Sequence, residues 1–227
     1  MAGDLVLVHG FTQTPASWEP ITRLLPNPAR VPAVPDGLAF VTTADALDLG
    51  RGDYVGYSQG GRLCLQLALD RPEVVHRLML VSASAGIADD GERAARHAAD
   101  ERLAQEIERD GVDAFLERWL AQPLFATLPP ERAGLDERQA ANTVAALTHQ
   151  LRVLGQGAQP SNWHRLGELG MPVLLIVGEL DTKYVDIAHR MADQISEARV
   201  EVIEGAGHAC HLEQPERVAH LLTSFSA

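Results

Sequence analysis

Short, nearly continuous apolar runs recur along the chain, each bounded by Gly, Pro or Asp: Leu5 to Val8, Tyr54 to Tyr57, Leu78 to Val81, Val173 to Val177 and Val200 to Ile203. Runs of this length without polar alternation predict strands buried on both faces. Arg30 to Val34 is a weaker candidate, because prolines break it. Between the runs lie helical patterns, such as Gly60 to Leu69 and Ile187 to Ile195. Strand alternating with helix predicts a parallel sheet covered by helices on both faces.

One stretch departs from that alternation. From about Glu92 to Leu154 the pattern is helical only, with Val112, Phe115, Leu116, Trp119 and Leu120 at helical spacing. Pro123 and the Pro129-Pro130 pair punctuate it. An all-helical insertion in an α/β chain predicts a cap over the carboxyl edge of the sheet, where such folds bind ligands. Residues 1–227 therefore read as a single domain with a helical cap over approximately 88–160. Neither repeats nor a linker divide it.

Composition narrows the partners. A formal net charge of -12 argues against nucleic acid and anionic membranes. It leaves room for an anionic small molecule, since a pocket can be locally basic. Cys64 and Cys210 form neither a metal-ligand nor a disulfide pattern, and read as buried thiols in a reducing compartment. Leu5 to Val8 is too short for a secretory apolar core, and no run approaches a membrane span, so the expected location is cytoplasmic. Composition is silent on oligomeric state, monomer or homo-oligomer.

The chemistry concentrates at Gly56-Tyr57-Ser58-Gln59-Gly60, which matches G-x-S-x-G between a strand candidate and a helix candidate. That context predicts a sharp strand-to-helix turn that lifts the Ser58 hydroxyl to the top of the sheet. Flanking glycines let the backbone pass, and the helix amino terminus favours developing negative charge. In this motif's fold the partners follow in the order Ser, Asp or Glu, His. Val173 to Asp181 supplies a strand running into an acidic loop, and Val202 to His208 a strand ending in a Gly-rich turn and a histidine. Asp181 is preferred to Glu179 because it lies further past the strand. His208 is preferred to His211, which reads as a turn or pocket-rim residue. His208 would accept a proton on one ring nitrogen while Asp181 holds the other. The oxyanion hole is expected from the Gln59 amide and from Phe11, in the loop His9-Gly10-Phe11 after the first strand. His9 is expected to brace that loop.

These motifs lie in the order of the α/β-hydrolase family, which the sequence resembles over nearly its whole length. Gly10, the Ser58 elbow, Gly178-Glu179-Leu180-Asp181, and Gly207-His208 through Leu212-Glu213-x-Pro215 carry the resemblance. The usual antiparallel first strands are missing, and the stretch between Pro26 and Gly52 is compressed. A finer likeness is to the menaquinone-pathway 2-succinyl-6-hydroxy-2,4-cyclohexadiene-1-carboxylate synthases. It rests on Gly60-Gly61-Arg62, Ser82-Ala83-Ser84-Ala85-Gly86, Arg96 with Asp100, Trp119 with Gln122-Pro123-Leu124-Phe125, and Asp181-x-Lys183-Tyr184. Ala85 stands where that family usually has proline.

The resemblance implies a lyase that eliminates pyruvate from a polycarboxylate without metal or organic cofactor. Ser58 would be the base activated by His208, and Tyr57, Arg62, Arg96, Trp119 and Arg138 would be substrate contacts. Arg62 fits this independently. It lies one turn after Ser58 on an otherwise apolar helix, and a buried arginine needs a partner. An internal salt bridge would also serve. Arg96 could simply pair with Asp100, and Trp119 could be core. A serine carboxylesterase or related acyl hydrolase, with a cofactor-free perhydrolase as a variant, would use the same triad. So would a ligand-binding protein on a hydrolase fold, without the chemistry.

Overall fold

The computed structural model describes residues 4–227. Five strands appear among the described residues: β1 (Leu5–Val8), β2 (Gly52–Tyr57), β3 (Val75–Val81), β4 (Val173–Gly178) and β5 (Ala198–Ile203). They lie in the order β1-β2-β3-β4-β5, and every neighbouring pair is parallel. The expected extra strand at Arg30 to Val34 reduces to one bridge between Arg30 and Val6 on the free edge of β1. Leaving β1, the chain thus goes first to one side and then crosses back to β2 on the other. Such a reversal opens a crevice at the carboxyl ends of the strands.

The principal helices are α1 (Phe40–Ala46), α2 (Gln59–Asp70), α3 (Asp90–Leu120), α4 (Leu135–Ala141), α5 (Val144–Leu154), α6 (Thr182–Ala192) and α7 (Pro215–Phe225). Strand residues feed two cores alternately. Val6, Tyr54, Leu78 and Leu175 pack on the side of α1, α2 and α6. Leu7, Val55, Met79 and Ile176 pack on the side of α7, with Trp18 and Ile21. Burial on both faces is why these strands read as unbroken apolar runs. The edge strand β5 departs from that expectation: only Ile203 in it is buried, because one side and much of one face stay open.

Several boundaries also differ from the apolar pattern. β2, β3 and β5 begin two or three residues early, and strand pairing there takes in polar residues such as Asp53, Arg77 and Arg199. Asp53 is fully buried and held by His76 Nδ1 at 3.0 Å. α6 begins at Thr182, five residues before the apolar pattern, and ends before Ile195, which still packs into the core from the following turn.

The helical insertion forms its own small core. Ala104, Ile107, Phe115 and Leu116 of α3 meet Leu147 and Leu151 of α5. α3 kinks at Gly111, where φ is 82°. Phe11, from the loop after β1, packs edge-on against Phe115, which ties the insertion to the carboxyl edge of the sheet. No helix among the described residues is long and apolar enough to cross a membrane.

Candidate active site

Ser58 sits between β2 and α2 with φ 49° and ψ -107°. A non-glycine residue held there costs about 1–3 kcal/mol, so the surroundings must enforce it. Its amide donates to the Val81 carbonyl at 2.8 Å and its carbonyl accepts from the Arg62 amide at 3.0 Å. A Cβ at Gly56 would run into the Gly60–Gly61 peptide, and one at Gly60 into the Val8 and His9 carbonyls. The tight elbow therefore excludes side chains on both sides of Ser58. The other described non-glycine residues with positive φ, Thr12 and Ser82, follow β1 and β3 at the same edge.

The turn after β5 carries His208 to Ser58. His208 Nδ1 lies 2.6 Å from Asp181 Oδ2, and His208 Nε2 lies 3.3 Å from Ser58 Oγ. A carboxylate on Nδ1 fixes the proton there and leaves Nε2 free to accept from the Ser58 hydroxyl. Glu179, the competing acid, instead accepts from the Gly205 amide at 2.9 Å and braces the turn. His211 is buried between Tyr57 and Trp18, with ring centroids 4.0 and 4.9 Å away, and its Nε2 faces Gln13 at 3.4 Å. Burial drives its pKa well below the usual histidine range, so it is a neutral part of the floor.

The loop after β1 is fixed from both sides. His9 Nδ1 donates to the Gly10 carbonyl at 3.0 Å, and Nε2 accepts from the Val34 amide at 3.2 Å. Burial lowers the His9 pKa to about 4, which keeps the ring neutral for both bonds. The Gly10 amide donates to Gln13 Oε1 at 3.0 Å, and the Gln13 amide returns to the Gly10 carbonyl. A Cβ on Gly10 would meet the Tyr57 ring at 2.7 Å. Phe11 and Gln59 both line the cavity above Ser58. The Gln59 amide opens α2 and has no intrahelical acceptor.

That cavity is about 340 Å³ and lies between the sheet edge and the insertion. Tyr57, Ser58 and His208 line its sheet side, and Arg96, Trp119, Gln122, Leu124 and Gln150 its other side. Four cationic side chains face it, Arg62, Arg96, Arg138 and Lys183, and among the described residues no carboxylate does. Arg62 is 5% exposed and forms no ion pair among the described residues, so the alternative of an internal salt bridge fails. Its Nη1 donates to Gln159 Oε1 at 3.3 Å, its Nε has no acceptor, and burial lowers its pKa to about 10. Arg138 is likewise buried, held by the Ala133 carbonyl at 2.8 Å and the Thr12 hydroxyl. Arg96 does form the expected pair, Nε to Asp100 Oδ1 at 2.7 Å, and still reaches the cavity. Trp119 packs on Phe11, Phe115 and Phe125, and its buried indole N–H has no acceptor.

Every expected contact residue thus meets in one place, with Asp181 just behind His208. Gln13, Gln150 and Gln156 also line the cavity, and no sequence pattern marks them. Cys64 and Cys210 are buried outside it, with burial pushing the Cys210 thiol up to about 12.

A model of the alpha/beta hydrolase family matches residues 5–221. The chain belongs to the α/β-hydrolase family. Within that family it is 33% identical, over 97% of this chain and 89% of the other, to a Bacillus subtilis (strain 168) protein provisionally named 2-succinyl-6-hydroxy-2,4-cyclohexadiene-1-carboxylate synthase. It is 29% identical to the 2-succinyl-6-hydroxy-2,4-cyclohexadiene-1-carboxylate synthase of Salmonella schwarzengrund (strain CVM19633), over 99% of this chain and 94% of that one. Among solved structures, this α/β-hydrolase superimposes on MenH from S. aureus with a TM-score of 0.91 and 25% identity, covering 99% and 93% of the two chains.

Proposed function

We propose that the enzyme forms 2-succinyl-6-hydroxy-2,4-cyclohexadiene-1-carboxylate by eliminating pyruvate from a polycarboxylate precursor in menaquinone biosynthesis. The observation that carries this reading is the charge of the cavity. In a chain of net charge -12, four cationic groups line the cavity above Ser58, and among the described residues no carboxylate lines it. A site for neutral esters has no use for that field, whereas a substrate with several carboxylates would pair with the cations that lack an acid. The likeness to synthases in Bacillus and Salmonella supports the same choice.

The chemistry follows from the positions. Ser58 Oγ, with its proton passing to His208 Nε2, takes the proton from a substrate carbon. Asp181 holds His208 in the required tautomer and stabilises the imidazolium that forms. As the C–H bond breaks, the electron pair is delocalised onto a substrate oxygen, where the Phe11 and Gln59 amides stabilise the enolate-like charge. Collapse forms the ring C=C bond and breaks the C–O bond; the leaving enolate oxygen takes the proton from the His208 imidazolium, and the enol released tautomerises to pyruvate. Arg62, Arg96 and Arg138 hold carboxylates, Trp119 offers its unpaired N–H, and Tyr57 forms part of the floor. The test is pyruvate release from the precursor by the purified enzyme. Triad-dependent cleavage of a p-nitrophenyl ester with no pyruvate release would assign ester hydrolysis instead. No reaction with either would leave a binding protein.

A further inference from the structure

We propose that Gln159 is a positioning residue that holds Arg62 with a neutral acceptor, so that the guanidinium keeps its charge for a substrate carboxylate. The inference rests on the reading of the cavity as a carboxylate site and adds a residue to it.

Gln159 is fully buried in the segment between α5 and β4. Its Oε1 accepts from Arg62 Nη1 at 3.3 Å, and its Nε2 donates to the Ser84 carbonyl at 3.3 Å. The two partners fix the orientation of the amide, since a guanidinium only donates and a carbonyl only accepts. The segment itself is clamped. The Asn162 amide donates to the Ala85 carbonyl at 2.8 Å, and Trp163 Nε1 to the Gly86 carbonyl at 2.8 Å. The remaining support of Arg62 is the face of Phe40, 5.8 Å away. Neither support carries a charge. Asp100, the nearby carboxylate, is already committed to Arg96 at 2.7 Å and to the Gly157 amide at 3.2 Å.

Several other arginines of this chain do pair with acids, Arg71, Arg152 and Arg165 among them. A glutamate at position 159 would fit the same space and pair with Arg62. It would satisfy the guanidinium internally and cancel the field that an incoming carboxylate needs. Glutamine gives the same geometry and leaves the charge in place.

The experiment compares wild type, Gln159→Glu, Gln159→Met and Arg62→Met. Succinate binding is measured by titration calorimetry at low ionic strength, with uncharged succinamide as control, and KM and kcat by pyruvate release. The expected result is a rise of about tenfold or more in the succinate Kd for Gln159→Glu and Arg62→Met, a tenfold change being one decade of affinity. Gln159→Met, which loses the acceptor but adds no charge, should raise Kd by about two- to threefold on the same scale. In both Gln159 variants KM should follow Kd while kcat stays within about twofold, because nothing at Ser58 has moved. Equal effects of Glu and Met at position 159 would overturn the charge-preserving role. So would wild-type affinity in Gln159→Glu beside a loss in Arg62→Met. Wild-type affinity in Arg62→Met, or no preference for succinate over succinamide in the wild type, would overturn the carboxylate site itself. If Gln159→Glu does not fold, Gln159→Met decides: raised KM at unchanged kcat supports positioning, and unchanged KM refutes it.

Discussion

Replacing Arg62 by methionine should leave the empty enzyme at least as stable and make it a much poorer catalyst. Burial lowers the Arg62 pKa from the usual arginine range to about 10. At 1.36 kcal/mol per pH unit, the folded state bears a penalty of about 3 kcal/mol for carrying that charge. Because the folded pKa is the lower one, the penalty is fully present at every pH below 10 and fades only as pH rises from there toward the usual arginine range. Methionine removes the penalty at nearly constant volume, but leaves Gln159 Oε1 without its donor. An orphaned buried acceptor costs about 1–3 kcal/mol, so the net gain is about 0–2 kcal/mol. For a chain of this size that raises Tm by up to about 8 °C. The same change deletes a charge-assisted contact to the substrate and should lower kcat/KM for pyruvate release about a hundredfold. Thermal unfolding without ligand and steady-state kinetics on the same preparation make the measurement. A variant destabilised by more than about 1 kcal/mol with kcat/KM intact would show that Arg62 is a structural residue, and would refute the reasoning.

Two other outcomes follow from the same geometry. Asp181→Asn should lower kcat by about 10³–10⁴-fold, the scale of a histidine left in the wrong tautomer, whereas Glu179→Gln, which touches only the Gly205 turn, should change kcat by less than about threefold. Acidification should destabilise the fold through His9, whose folded pKa of about 4 lies below the ordinary 6.5. Its contribution is complete above pH 6.5 and is lost as pH falls through 4, about 3 kcal/mol in all, so urea unfolding of His9→Gln should show a flatter decline over that window.

The parts of the fold that local sequence dictates were legible. Four of the five strands are buried on both faces, and the apolar runs mark them directly. The elbow, the acid and the histidine each follow a strand, so their shared edge could be read from order alone. β5 was legible only as an apolar run, because its half-open surroundings depend on what fails to cover it. Strand starts at Gly52 and Val75 escaped because backbone pairing, not side-chain character, sets them. Arg96 and Asp100 pair as their spacing predicts, yet that spacing could not show that Arg96 also faces the cavity. Gln159 was invisible for a deeper reason. An uncharged side chain in a Gly-rich segment carries no pattern, and its meaning arises only when α2 places Arg62 against it, 97 residues away in the chain.

The most direct test of the account is pyruvate release from the menaquinone-pathway precursor by wild-type enzyme, Ser58→Ala and Arg62→Met together. Rapid release that collapses in Ser58→Ala and falls about a hundredfold in kcat/KM in Arg62→Met is the predicted result. Release at background in the wild type, beside Ser58-dependent cleavage of a neutral p-nitrophenyl ester, would contradict it and reassign the same triad to ester hydrolysis.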